Sequence, residues 1–488
     1  MRILFFLHNV SKTRHFEGVL AELAERGHTI VLAAERQRNR ALALPKNLVL
    51  VNRRLIARGA RGRIEMTASP VRRTDAWQDI APMVRRLRDY SRFLDPDYAS
   101  AAKLAARAAS AAPRAWPRFL QRHPRLHRHR RLLERAFAIA EAAIPSDRFF
   151  ELFIVHERAD LVLVTPLVDY GSYQTDAIKA AHRLGIPVAF LPFSWDNLTN
   201  RGLVRVTPDR VLVWNDIQRR EVVDLHDVPA ERVIVVGAPR FDDFYAMAAS
   251  TNRTEFCRQN ELDPTRQFLL YVCSSEFVAP DEVDFVRRWI RALRHSRYKE
   301  LRDCGVLVRP HPAHQKPWAR VALAEPDVAI WAAKETMNAD QGLYDSLFHC
   351  GAVVGLNTSA MLEAAILGKS VYTILATEFA GGQSETLHFH YLRASNGGLL
   401  HEAATMEEHF DQLASALRDQ RASDRASAFV DRFVRPRGRA LSVAPLMADE
   451  IERVAALPKR PRRWTAPWLL PVRWLLRGAM SLRSRDPR

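Results

Sequence analysis

A chain of 488 residues with 48% hydrophobic side chains is too long for one core and is expected to fold as two or three domains. Its formal net charge of +18 is concentrated: Tyr98–Leu133 carries nine Lys/Arg and no carboxylate, and Pro458–Arg488 carries nine Lys/Arg against Asp486 alone, leaving the rest near neutral. A nucleic-acid enzyme spreads basic residues along its groove, so two separable patches make nucleic acid an unfavoured partner and point to an anionic surface outside the catalytic core.

In chain order, ILFFLHNV is an apolar strand, and EGVLAELAERGHTIVLAAE continues as a helix ending near Gly27 and a second strand, a βαβ opening. The opening MRILFFLHNV has one charge and too short an apolar stretch for a signal core, and no apolar run of about 18 residues follows, so no leader or bilayer span is expected. From about Met66 to Arg148 the chain is rich in Ala and Arg with helical spacing, interrupted by Pro113, Pro117 and Pro124, and reads as a helical insertion. ADLVLVTP, IPVAFLPF, DRVLVWN and RVIVVGAPR read as strands separated by helices. Residues 241–262 turn polar and helical and read as a connector. A second alternating series then runs through FLLYVCS, VLVRPHP, VAIWAA, AVVGLN and SVYTIL, followed by helices over 405–435 and a closing helix within 436–457. Strands alternating with helices predict parallel sheets covered on both faces. The four cysteines, Cys257, Cys273, Cys304 and Cys350, lack metal-ligand spacing and read as buried thiols of a reducing compartment.

Every chemistry-bearing motif falls at the carboxyl end of a strand, where sheets of this kind place ligands. In VLVRPHPAHQ, Arg309 and His311 stand among two prolines that stiffen the backbone, and both side chains suit a diphosphate. A solvated surface turn is the alternative. GLNTSAMLEAAILG places Asn357, Thr358 and Ser359 before a helix, offering hydroxyls and backbone amides to an anion, or an ordinary N-cap. Glu363 lies inside an apolar run, where a carboxylate needs a partner such as a ribose diol. YVCSSEF adds Ser274, Ser275 and Glu276, and the loop TEFAGGQSE adds Glu378 and Gln383 around a Gly pair. In the first half the glycine-rich dinucleotide loop is absent, and His8 and His15 follow the first strand instead. Either imidazole is a candidate base, as are Asp169 and Asp196 at two further strand ends, with Asx turns as the alternative for the carboxylates.

Residues 159–385 resemble the core of the non-hydrolysing UDP-N-acetylglucosamine 2-epimerases and of GT-B glycosyltransferases, on ADLVLVTP…AAHRLGIPVAFL, PDRVLVWNDIQRREVVDLHDVPAERVIVVGAPRFDDF, RPHP and NTSAMLEAAILGKSVYTI in that order. The RPHP element and the Ser359-to-Glu363 helix also resemble CDP-glycerol glycerophosphotransferases and capsule transferases. The resemblance implies two facing Rossmann-like domains of GT-B type, with His311 and Ser359 on a donor diphosphate and Glu363 on its ribose. It implies an N-terminal acceptor domain over 1–240 with a basic helical insertion at about 66–148, and a nucleotide-donor domain over 263–435. The Pro-Glu-Glu element of the epimerases has no counterpart in GLVRVTPDR, which favours transfer of a sugar or polyol phosphate from a UDP- or CDP-linked donor over epimerisation. The acceptor is expected to be a sugar or lipid-linked molecule of the cell envelope. No Asp-x-Asp element stands at a strand end, so neither metal nor cofactor is expected beyond the donor. A catalytically silent nucleotide-sugar or membrane-binding protein is the remaining reading. In the tail 458–488, Trp464, Trp468, Trp474, Leu475 and Leu476 interleave with Arg462, Arg463, Arg473 and Arg477, which predicts contact with an anionic membrane, with 98–133 as a second contact, and a cytoplasmic protein peripheral to the inner face.

Overall fold

The computed structural model describes residues 1–36, 42–323, 325–331, 339–419, 423–458 and 466–483. The chain divides into two units, Met1–Asp242 with Arg435–Arg488, and Asp243–Val434. Each is a Rossmann-like layer of helix, parallel sheet and helix.

The first unit holds seven parallel strands: β1 (Arg2–Leu7), β2 (Thr29–Ala34), β3 (Arg63–Ala68), β4 (Leu161–Thr165), β5 (Val188–Phe190), β6 (Arg210–Val213) and β7 (Val233–Val235). Their order is β3-β2-β1-β4-β5-β6-β7. The second unit holds β8 (Phe268–Val272), β9 (Gly305–Arg309), β10 (Val328–Ile330), β11 (Ala352–Gly355), β12 (Val371–Ile374) and β13 (Leu400–Ala403), in the order β10-β9-β8-β11-β12-β13. Strand order therefore reverses at β1/β4 in one sheet and at β8/β11 in the other, and at such a switch point the diverging loops leave a crevice for ligand. Central strands such as β1 and β4 are unbroken apolar runs because helices cover both of their faces.

The helices Glu17–Glu25 and Val443–Ala455 pack together on one face of the first sheet, burying Leu20, Leu23, Met447 and Ile451 in a single cluster. The helices Arg148–His156 and Gln174–Leu184 cover the other face through Phe150, Ile154 and Ile178.

Several boundaries differ from the sequence expectation. The edge strand β3 extends to Ala68, so the helical insertion begins beyond it, with Ile80–Ser91, Ala102–Ala111, Ala115–Arg122 and Arg130–Ala143. Pro113 and Pro124 stand between these helices, and Pro117 sits in the first turn of one, where a missing N–H costs nothing. The segment 241–262, expected as a connector, forms helices Asp242–Ala246 and Arg253–Gln259. From Asp243 it belongs to the second unit, where Phe244 meets Tyr344 and Phe256 stacks on Phe268. Strand β13 was not anticipated. The C-terminal segment is docked rather than trailing: the helix Leu470–Arg483 packs on Arg130–Ala143. Arg462, Arg463 and Trp464 lie outside the described residues.

The insertion is locked to the sheet by a buried ion network. Arg85 donates to Glu141 at 3.0 and 3.2 Å and to Asp176 at 2.7 and 2.8 Å. Arg73 reaches Asp176 at 2.6 Å, and Lys179 reaches Glu141 at 3.0 Å.

Candidate active site

In the first unit the loops beyond β1, β4 and β5 carry the sequence-predicted residues. His8 follows β1 directly. Its Nδ1 lies 3.7 Å from an Asp169 carboxylate oxygen and 3.9 Å from Glu35, which follows β2. Asp169 sits beyond β4, across the switch point, and is also paired with Arg201. Two carboxylates facing Nδ1 favour a proton there and leave Nε2 as the basic atom. His8 is solvent-accessible.

Asp196 lies in the loop after β5. Its oxygens accept from Ser194 Oγ and Asn200 Nδ2, both at 2.5 Å. That engagement makes it a loop brace. His15 packs on the Phe193 ring, with centroids 4.8 Å apart, and its Nδ1 is buried without a hydrogen-bond partner among the described residues. Burial, with Arg240, Arg14 and Lys12 nearby, drives its pKa well below the ordinary imidazole value, so the ring is neutral.

Arginines of the insertion hold the Asp196 loop by its backbone. Arg92 donates to the carbonyls of Leu198, Arg201 and Gly202, Arg107 to that of Asn200, and Arg88 to that of Arg205. Asp89 accepts from Gly171 N and Leu203 N and pairs with Arg205. A side chain at Gly202 would stand 2.7 Å from Asp89 Oδ1, so only glycine fits that approach. The basic helical segment thus has a positioning role that its composition did not reveal.

Lys12 was not anticipated. Its ammonium lies 3.7 Å from the centroid of the Phe193 ring. Burial first, and then Arg201, lower its pKa to about 8 against the pull of Asp169 and Asp196. At pH 8 about half of Lys12 is neutral, whereas an ordinary lysine is neutral in only about one part in a few hundred. Acylation at pH 8 followed by peptide mass mapping is therefore expected to mark Lys12 before the other lysines, and Arg201→Ala, by removing a neighbouring cation, to slow the reaction.

In the second unit the loops after β9, β8 and β11, three adjacent strands, converge at the other switch point. Nδ1 of His311 accepts from Ala313 N–H at 3.1 Å. The neutral ring then carries its proton on Nε2, which is a donor. Ser275 and Ser359 are partly or wholly exposed, Glu276 is exposed and Thr358 is nearly covered. The backbone amides of Ser359 and Ala360 donate to no backbone group among the described residues. The helix that follows, Ala360–Ile366, is only two turns long, so local N–H and hydroxyl donors, rather than a long helix dipole, would meet an anion.

Other expected contacts are internal braces. Ser274 Oγ accepts from Asn357 N–H at 3.3 Å, and Asn357 Nδ2 donates to Gly382 O at 2.8 Å. Gly382 is required there, since a Cβ would stand 2.6 Å from the Val278 backbone. The Gln383 amide donates to Leu356 O, Thr373 Oγ1 and Ile374 O, tying β11 to β12. Glu378 is on the surface, paired with Arg288 at 2.6 Å. Asn357, Ser274 and Gln383 thus all make hydrogen bonds within the scaffold.

Arg309 is buried beneath the Trp331 ring, 3.6 Å from its centroid, and donates to Ser346 Oγ at 3.3 Å. Burial lowers its pKa to about 10, while the buried Glu363 carboxylate is the largest influence in the opposite direction. The two motif residues thus form one electrostatic unit under the crevice floor. Glu282, also missed, accepts from Ser274 N at 2.8 Å, and burial raises its carboxyl to about 7.

No protein-family model and no curated protein matches the chain. Solved structures do. A putative UDP-N-acetylglucosamine 2-epimerase from Listeria monocytogenes aligns at a TM-score of 0.52 and 11% identity, over 94% of this chain and 98% of that one. The MnaA–UDP complex from S. aureus gives 0.51 and 12%, over 95% and 99%. A glycosyltransferase from Rickettsia africae gives 0.50 and 9%, over 94% and 99%. The likeness shows the fold: two Rossmann-like units, as in these structures. At these identities the likeness concerns fold, and the neighbours include both epimerases and transferases.

Proposed function

We propose that the protein transfers a sugar, or a polyol phosphate, from a nucleotide-activated donor to a hydroxyl of a cell-envelope or lipid-linked acceptor. The second unit takes the nucleotide: His311 Nε2–H, the Thr358 and Ser359 hydroxyls and the Ser359 and Ala360 amides donate to the diphosphate, and Arg309 lends its field from below. One solved structure of similar fold is described with UDP, which makes UDP the first donor nucleotide to try. The first unit supplies the base. As the acceptor oxygen attacks the transferred group, its proton passes to His8 Nε2, Asp169 steadies the imidazolium, and the bond to the diphosphate breaks with both electrons on the leaving oxygen. For a polyol phosphate the attacked atom is phosphorus and the leaving group a nucleoside monophosphate.

The observation that carries this reading is the placement of two complementary sets at two switch points: donors for an anion beyond β8, β9 and β11, and an imidazole backed by carboxylates beyond β1 and β4. Epimerisation needs acid and base on one sugar carbon with no acceptor. Incubation with UDP- and CDP-linked donors, with and without acceptor glycans or lipids, separates the readings: isomerised sugar without acceptor would defeat transfer. Replacing His311 by alanine removes one donor to the leaving group, and kcat is expected to fall about 10²- to 10³-fold, with the melting temperature little changed.

A further inference from the structure

The helix Leu470–Arg483 is pinned by one face and bare on the other. On the inner face Arg473 Nε donates to Ala143 O at 2.9 Å, Arg477 lies over the Trp77 ring at 5.3 Å, and Leu476 packs on the cluster of Trp77, Ile80, Val84 and Ile144. These contacts fix its rotation. On the outer face Trp474 is 72% exposed and Leu475 74%, with Leu470 beside them and Trp468 at 63% just before the helix. An apolar outer face on a docked surface helix is the reverse of ordinary patterning, in which the solvent side is polar.

Charge identifies what would cover it. No carboxylate occurs from Pro458 to Arg485, and the run carries eight Lys/Arg. The helix also lies against Arg130–Ala143, and the segment leading into that helix exposes Arg114, Arg118, Arg122, Arg125 and Arg128, followed by Arg131 in its first turn. The helix of one basic segment therefore packs on the helix that the other basic segment leads into. Tryptophan and leucine flanked by arginine suit the headgroup boundary of a bilayer, and each basic side chain near an anionic surface strengthens attachment about fivefold. At 14 residues the helix is too short to span a bilayer, and no helix among the described residues is long and apolar enough to cross one.

We infer that the Leu470–Arg483 helix seats the first unit on an anionic lipid surface, with Trp468, Leu470, Trp474 and Leu475 inserted and the insertion arginines on the headgroups. This rests on the exposed face and not on the proposed transfer reaction. The test is co-sedimentation of the full chain with vesicles of phosphatidylcholine alone or mixed with phosphatidylglycerol, read beside Trp474→Glu with Leu475→Glu. Both side chains are exposed, so the variant is expected to keep its melting curve. The parent is expected to pellet with the anionic vesicles and to be released by salt, and the variant to bind at least about tenfold more weakly. A parent that stays in the supernatant overturns the inference, as does a variant that binds like the parent. A parent that dimerises through this face and ignores vesicles overturns it in favour of a second copy as the occupant.

Discussion

His8→Ala is expected to lower kcat by about 10²- to 10⁴-fold, the range for loss of a positioned general base. KM for the donor should change little, because His8 belongs to the first unit and the proposed diphosphate contacts to the second. The side chain is solvent-accessible, so its removal opens no cavity and the melting temperature should hold. Asp169→Asn keeps the shape but removes the charge 3.7 Å from Nδ1, so a smaller loss of kcat is expected. Unchanged kcat in His8→Ala, beside a large loss in His15→Ala or Asp196→Asn, would transfer the role to those residues.

Arg85→Ala is expected to destabilise the first unit by about 3 kcal/mol or more, the low end of the range for breaking a buried ion pair. The low end applies because Lys179 still meets Glu141 and Arg73 still meets Asp176. Burial alone would raise the Glu141 carboxyl, but Arg85 and then Lys179 more than offset it and hold the group near 2, below its ordinary 4.5. A depressed carboxyl stabilises the fold above its unfolded value and loses that contribution as pH falls through the folded one. The parent should therefore lose stability from about pH 4.5 down to about 2. The variant should show a flatter curve across that window, measured by chemical denaturation at each pH. Arg85→Lys should recover only part, since an ammonium cannot serve both carboxylates with a planar fork.

The sequence was most legible where one residue type decides the outcome. Unbroken apolar runs marked β1, β4, β8 and β9, because a strand covered on both faces has no polar side. Proline and strand-end position singled out His311 as a candidate, and the structure sets it in the loop after β9. Strand β3 was missed because an edge strand shows little burial: RIEMTA has only Ile64 buried. Strand β13 is four residues with two partly exposed polar side chains. Within the motifs, the sequence could not separate a polar group facing a ligand from one facing the scaffold. The partners of Asn357, Ser274 and Gln383 are carbonyls and amides brought near by folding, which no local motif displays. Lys12 was invisible for a related reason: Phe193, whose ring it lies over, and Arg201, which lowers its pKa, stand roughly 180 residues or more away in the chain.

The helix Val443–Ala455 completes the first core although the entire second unit is made before it. On the ribosome, the second unit emerges as one uninterrupted stretch and can finish folding while the first still lacks its last piece. The apolar surface awaiting Met447 and Ile451 stays open to chaperones or to neighbouring chains throughout that interval. Nascent chains halted before Val443 should therefore be more prone to clump than those halted after Ala455.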